Sequence, residues 1–173
     1  MNRDTLTLVL PTADHATAAW SFRQECLNNG EAHIAGSSMM HAFDSYTEWQ
    51  AKVDADRATP APGLVPATTF LAMLGDKAVG TIQIRHELNE YLSQVGGHIG
   101  YSIIPSMRGK GYGAQQLALA LEKARMLRLL RVMITCNSDN IASARTIMRN
   151  GGVYDSDFVE DSGNIVQRYW IEL

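Results

Sequence analysis

The order of its hydrophobic patterns predicts an α+β or α/β chain folded around a mixed sheet, and three observations carry that reading. Stretches that alternate every second residue are interleaved with stretches of helical period, in the order strand, two helices, three strands, helix, strand, helix, two strands. Most changes of period fall on prolines, glycines or asparagine–glycine runs. The 173 residues, 46% hydrophobic and 19% charged, suit one globular domain spanning 1–173. A chain of this length buries roughly 70% of its unfolded surface, so it needs no metal or disulfide scaffold.

Leu6, Leu8 and Leu10 alternate up to Pro11 and read as a short strand. A helical stretch runs from Pro11-Thr12 to about Asn29, where Asn28-Asn29-Gly30 supplies a stop. Gly36-Ser37-Ser38 is a loop, Ser45 to about Arg57 a second helix, and Pro60, Pro62 and Pro66 with Gly63 mark an extended loop. Thr68–Leu74 and Ala78–His86 read as strands around the turn Gly75-Asp76-Lys77, and Gly97–Ile104 as a third, ended by Pro105. A buried helix follows from about Gly111 to Met126, then a strand from Arg131 to Cys136 and a helix from Asn140 to Arg149. Gly151-Gly152 terminates that helix, and two last strands flank the hairpin signal Asp161-Ser162-Gly163-Asn164.

A net charge of -3 argues against a broad nucleic-acid surface. No apolar stretch reaches 18 residues, which excludes a membrane span. Met1-Asn2-Arg3-Asp4 leads to no apolar segment, so no signal peptide is expected and the location expected is cytoplasmic. Cys26 and Cys136 form neither a CxxC nor a zinc pattern and read as buried reduced thiols, with no metal site.

The most informative stretch is Ile103 to Gly113, which joins a strand to a long helix through three alternating glycines, Gly109, Gly111 and Gly113. At a helix start the first N–H groups lack intrahelical partners and the dipole adds partial positive charge. Glycines there admit a phosphate close to the backbone, and Arg108 and Lys110 add charge. The sequence lacks the Walker spacing, and its Gly-x-Gly-x-Gly is neither the spacing nor the position of a dinucleotide fingerprint.

These residues resemble the GCN5-related N-acetyltransferase (GNAT) superfamily, whose central motif is Arg/Gln-x-x-Gly-x-Gly/Ala after a strand. Arg108, Gly111 and Gly113 match it in register, and Asn140 and Ser143 resemble the family's next motif. Gly97 to Ile103 and Asn150-Gly151-Gly152 through Gln167-Arg168-Tyr169-Trp170 look like a group of predicted bacterial acetyltransferases within it. The resemblance implies an α/β/α sandwich with a mixed, mostly antiparallel sheet of about six or seven strands and about four helices. A V-shaped splay would open between the strands ending near Ile104 and Cys136.

It further implies acetyl-CoA as cofactor. The amides of Gly109, Lys110, Gly111, Tyr112 and Gly113 would hold its pyrophosphate, with Arg108 beside them. The backbone near Ile103 would pair with the pantetheine arm, and Asn140 and Ser143 would lie along it. Lys110, Arg145 and Arg149 could each reach the 3′-phosphate or simply face water.

Transfer to an amine needs a base for the ammonium proton and an acid for the thiolate. His98 reads either as a buried hydrogen-bonded histidine or as the first candidate base, with Gly100 leaving room beside it and His86 and Glu87 as alternates. Relatives often carry a tyrosine seven residues after the motif asparagine, where this chain has Ile147; the acid is then Tyr101 or Tyr154, or water, or the protein does not catalyse transfer. Residues 1–60 hold eight acids and four bases, which would suit a cationic amine, although Asp44, Glu48, Asp54 and Asp56 also fit a solvated helix face. The expected function is therefore an acetyl-CoA-dependent N-acetyltransferase acting by direct attack of a small-molecule or peptide amine. A module that senses acyl-CoA without chemistry is the alternative, and a homodimer is compatible with either.

Overall fold

The computed structural model describes residues 5–173; Met1 to Asp4, from which the absence of a leader was read, lie outside them. Strands β1 (Leu6–Val9), β2 (Ala67–Leu74), β3 (Lys77–Arg85) and β4 (Ile99–Ile103) form one antiparallel sheet in that order. Strands β5 (Arg131–Asn137), β6 (Val153–Val159) and β7 (Ile165–Glu172) form a second antiparallel sheet with β7 central. Four α-helices join them: α1 (Ala16–Asn28), α2 (Tyr46–Asp56), α3 (Tyr112–Met126) and α4 (Ile141–Arg149).

Two apolar cores make the layers. Ala19, Phe22 and Cys26 of α1 and Trp49 and Val53 of α2 cluster with Leu71, Met73 and Val79 on one side of the first sheet. Leu117, Ala120, Leu121 and Ala124 of α3 cluster on the other with Phe70, Ile82, Ile84 and Ile99, and with Val132 and Ile134 of β5, Ile147 of α4 and Tyr169 and Ile171 of β7. This is the expected α/β/α arrangement. β2 and β3 are covered on both faces, which is why their sequences run almost continuously apolar rather than alternating. Both thiols are free and buried. Among the described residues no helix is long and apolar enough to cross a membrane.

The splay lies between β4 and β5. The two strands touch at their starts, where the His98 N–H donates to the Met133 carbonyl at 2.7 Å and the Met133 N–H donates to His98 Nδ1 at 2.9 Å. No ladder continues from there, so the inner edge of β4 is left open toward α4. The hairpin at Asp161–Asn164 forms with Gly163 at φ +85°.

Two stretches depart from the sequence reading. β4 begins at Ile99, not Gly97, because Gly97 takes φ +64° and turns the chain into the strand. Leu92–Gly96 forms a single π-helical turn, held from outside by the Thr135 hydroxyl on the Val95 carbonyl (2.7 Å) and by Arg168 on the Ser93 carbonyl (3.2 Å).

Candidate active site

The splay opens a groove of about 720 Å3 that runs from the start of α3 along β4 to α4. Gly111 is the N-cap of α3 at φ +85°, and Gly109 sits at φ +72°, both in the left-handed region that side chains resist. An added Cβ on either would meet nothing within 4 Å. Among the described residues, none of the amides of 109–114 finds an acceptor. Six consecutive N–H groups at an open helix start make an anion cradle. Arg108, Arg145 and Arg149 line the groove against one acid, Glu31, so it is electropositive within an acidic chain.

Arg108 is fixed by two bonds: Nε donates to the Ile103 carbonyl (2.9 Å) and Nη2 to Glu31 (2.6 Å). The motif arginine thus ties the turn to β4 and to the loop after α1. Lys110 contributes its amide only, since its ammonium folds back onto the Ser106 carbonyl at 3.0 Å and does not line the groove. Glu25 of α1 braces the turn from behind: its carboxylate accepts the Ser106 N–H at 2.8 Å, and hydrogen bonding to Ser106, by its side chain first and by this amide in addition, lowers the Glu25 pKa.

Asn140 caps α4, its Oδ1 accepting the Ser143 N–H at 3.1 Å, and both residues line the groove. The capping role and the groove position coincide, and among the described residues the side-chain amide donors of Asn140 have no acceptor. Tyr101 stands opposite, its hydroxyl 2.9 Å from Ser143 Oγ. Burial pushes the Tyr101 phenol up to about 12, so it is protonated throughout the neutral range. Ile147 is fully buried in the core and offers no donor. Tyr154 is half exposed on β6, bonded to Asp157 and away from the groove.

The structure does not bring His98 to this site. Its ring is 7% exposed, packs edge-on against Trp170 and lines neither cavity. Burial lowers its pKa to about 4, with Arg85 and Arg131 adding to the effect. Nδ1 already accepts the Met133 N–H, so Nε2 carries the proton and no free lone pair remains for an incoming ammonium. His98 pins the closed end of the V. The room expected beside it at Gly100 is filled by Gly36, where a Cβ would lie 2.1 Å from the Gly100 carbonyl oxygen. Glu87 is exposed beyond the end of β3 and lines neither cavity, and His86 is bonded to Thr68 at 2.8 Å.

The loop between α1 and α2 supplies residues, His33 among them, that the sequence does not single out. Its segment 33–36 crosses β4, held by the Ser102 hydroxyl on the Ala35 carbonyl (2.8 Å) and by Trp49 Nε1 on the Ser37 carbonyl (2.7 Å). Behind it lies a second cavity of about 440 Å3, and among the described residues His33 alone lines both spaces. No periodicity marks this loop; only its run of His33, His41 and polar residues between two helices hinted at a role.

Comparison with known proteins agrees with this geometry. No curated protein sequence matches the chain. Several solved structures share the fold. The microcin C7 self-immunity acetyltransferase MccE, in complex with acetyl-CoA and AMP, superposes with a TM-score of 0.71 at 17% identity, over 98% of this chain and 93% of that one. RimL, a ribosomal alpha-N-protein acetyltransferase in complex with coenzyme A, gives 0.70 at 20% identity, over 98% and 94%. A chimera of spermidine N-acetyltransferase SpeG from Vibrio cholerae and hSSAT gives 0.66 at 18%, over 96% and 95%. The acetyltransferase (GNAT) domain model matches residues 5–153, and the chain belongs to that family.

Proposed function

We propose that this protein transfers the acetyl group of acetyl-CoA to an amine by direct attack within a ternary complex. The observation that carries the reading is the row of unpartnered amides at residues 109–114, facing a groove beside the open edge of β4. Backbone donors at a helix start suit a pyrophosphate, and a strand edge suits an amide-bearing arm. Arg145 and Arg149 supply the charge for a further phosphate.

Bound acetyl-CoA supplies an activated acetyl group. The amine nitrogen bonds to the acetyl carbon as the carbon–sulfur bond breaks, the electron pair leaves with sulfur, and the proton shed by the amine ends on the thiol. His33, at the junction of groove and cavity, is placed to take that proton in the role first assigned to His98. Tyr101, protonated and paired with Ser143, provides the hydroxyl donor that Ile147 lacks.

Parallel calorimetric titrations with acetyl-CoA, coenzyme A, NAD and ATP test the cofactor. Micromolar binding of the two coenzyme A species alone is expected, and binding of neither removes the basis of the proposal. Thiol release with an amine panel tests the chemistry. Coenzyme binding with no turnover on any amine would favour the sensing module that the buried Ile147 allows.

A further inference from the structure

The second cavity is built to discriminate. It lies between the loop after α1, the C-terminal half of α2 and the end of β3, and at about 440 Å3 it has the size of a small-molecule site. Three of the large apolar side chains that the fold leaves exposed, Met39, Leu64 and Tyr91, gather at it. Its wall is strained: Ser38 and Met39 take φ +52° and +64°, in the left-handed region that non-glycine side chains resist. The Ser38 hydroxyl holds that wall by donating to buried Asp56 at 2.7 Å.

Its charges contradict an acidic site. Of the eight acids in residues 1–60, whose excess would suit a cationic acceptor, only Asp56 lines the cavity among the described residues, and Lys52 neutralises it in an ion pair. Arg85 remains. One of its nitrogens, Nη1, donates to the Gly96 and Gly97 carbonyls at 3.0 Å each. Nη2 and Nε have no acceptor, and no carboxylate pairs with the guanidinium, among the described residues. Nη2 lies 3.7 Å from the position of a Cβ on Gly100, where the loop crosses β4 between cavity and groove. A fixed guanidinium with its fork half free is a carboxylate receptor.

We infer that the acceptor is a small primary amine that also bears a carboxylate, with Arg85 holding the carboxylate and the apolar side chains receiving its body. The assignment rests on the acetyltransferase reading of the same site and departs from the cationic amine that the composition of residues 1–60 would suit. A polyamine would place a second cation beside Arg85 and is disfavoured.

Matched probes test it: L-phenylalanine, L-phenylalaninamide and spermidine, each titrated into the full chain with and without coenzyme A and assayed for acetylation. The amino acid should bind, and turn over by kcat/KM, about tenfold to hundredfold better than its amide, and spermidine worse than either. Arg85→Gln should erase the difference between acid and amide, and Arg85→Lys should restore part of it, while coenzyme A affinity stays unchanged. Equal or better binding of the amide or spermidine, no binding of the amino acid below about 10 mM, or an acid–amide difference that survives Arg85→Gln would overturn the inference. Loss of coenzyme A binding in the wild type would instead count against the acetyltransferase reading, because the carboxylate preference is read without coenzyme as well.

Discussion

Gly111→Val separates the two consequences of the glycine turn. Gly111 sits at φ +85° and ψ -4°, so a β-branched residue there costs about 1–3 kcal/mol of stability. For a chain of this size that is a fall in Tm of roughly 2–12 °C. The added side chain also enters the groove beside the 109–114 amides, since Gly111 lines that groove and nothing lies within 4 Å of its Cβ. Losing two charge-assisted bonds to phosphate at about 1.5–3 kcal/mol each removes roughly 3–6 kcal/mol of binding, a factor of about 10² to 10⁴ in Kd. Gly163→Val is the matching control, because Gly163 has the same φ of +85° and open surroundings but lies in the β6–β7 hairpin. Thermal melts should show similar losses for the two variants. Calorimetry with coenzyme A should show a weakened Kd for Gly111→Val only. Normal binding by Gly111→Val, or an equal loss in Gly163→Val, would refute the assignment of the phosphate cradle.

The remaining predictions concern residues nearer the splay and the core. The fold holds His98 neutral, so its contribution is complete above about pH 6.5 and is lost as pH falls toward about 4. By pH 5 that is about 2 kcal/mol, and His98→Gln should shrink the gap in urea-measured stability between pH 7.5 and pH 5 by that amount; an unchanged gap would place the titration elsewhere. Tyr101→Phe should lower kcat roughly 100-fold while the Kd for coenzyme A stays within about twofold, and unchanged kcat would remove Tyr101 from the chemistry. Gln116 is fully buried with neither side-chain atom hydrogen-bonded among the described residues, so Gln116→Met should raise stability by about 1–3 kcal/mol. A lower Tm for that variant would mean that the amide is satisfied by water.

The element order and the phosphate cradle were legible in the sequence because both are local. A strand or an amphipathic helix writes its period into consecutive residues, and Gly109, Gly111 and Gly113 announce a turn that side chains would obstruct. Asn140 was legible for the same reason, since a helix cap is set by its own next three residues. What lies across the splay was not. Its place on a strand left His98 open between a base and a buried hydrogen-bonded histidine, and the Met133 N–H, 35 positions away, occupies its lone pair and makes it the second. Gly100 looked like room for an acceptor until Gly36, 64 positions earlier in the chain, packed into it. The acidic balance of residues 1–60 suggested a cationic ligand, whereas tertiary packing brought one of those acids to the cavity, paired it with Lys52 and placed Arg85 in the same lining. Sequence by itself determined the repeating elements and the backbone device that starts α3. Only the tertiary structure decided which side chains meet, because burial and partners, not residue type, set whether a group is a base, a brace or a binding site.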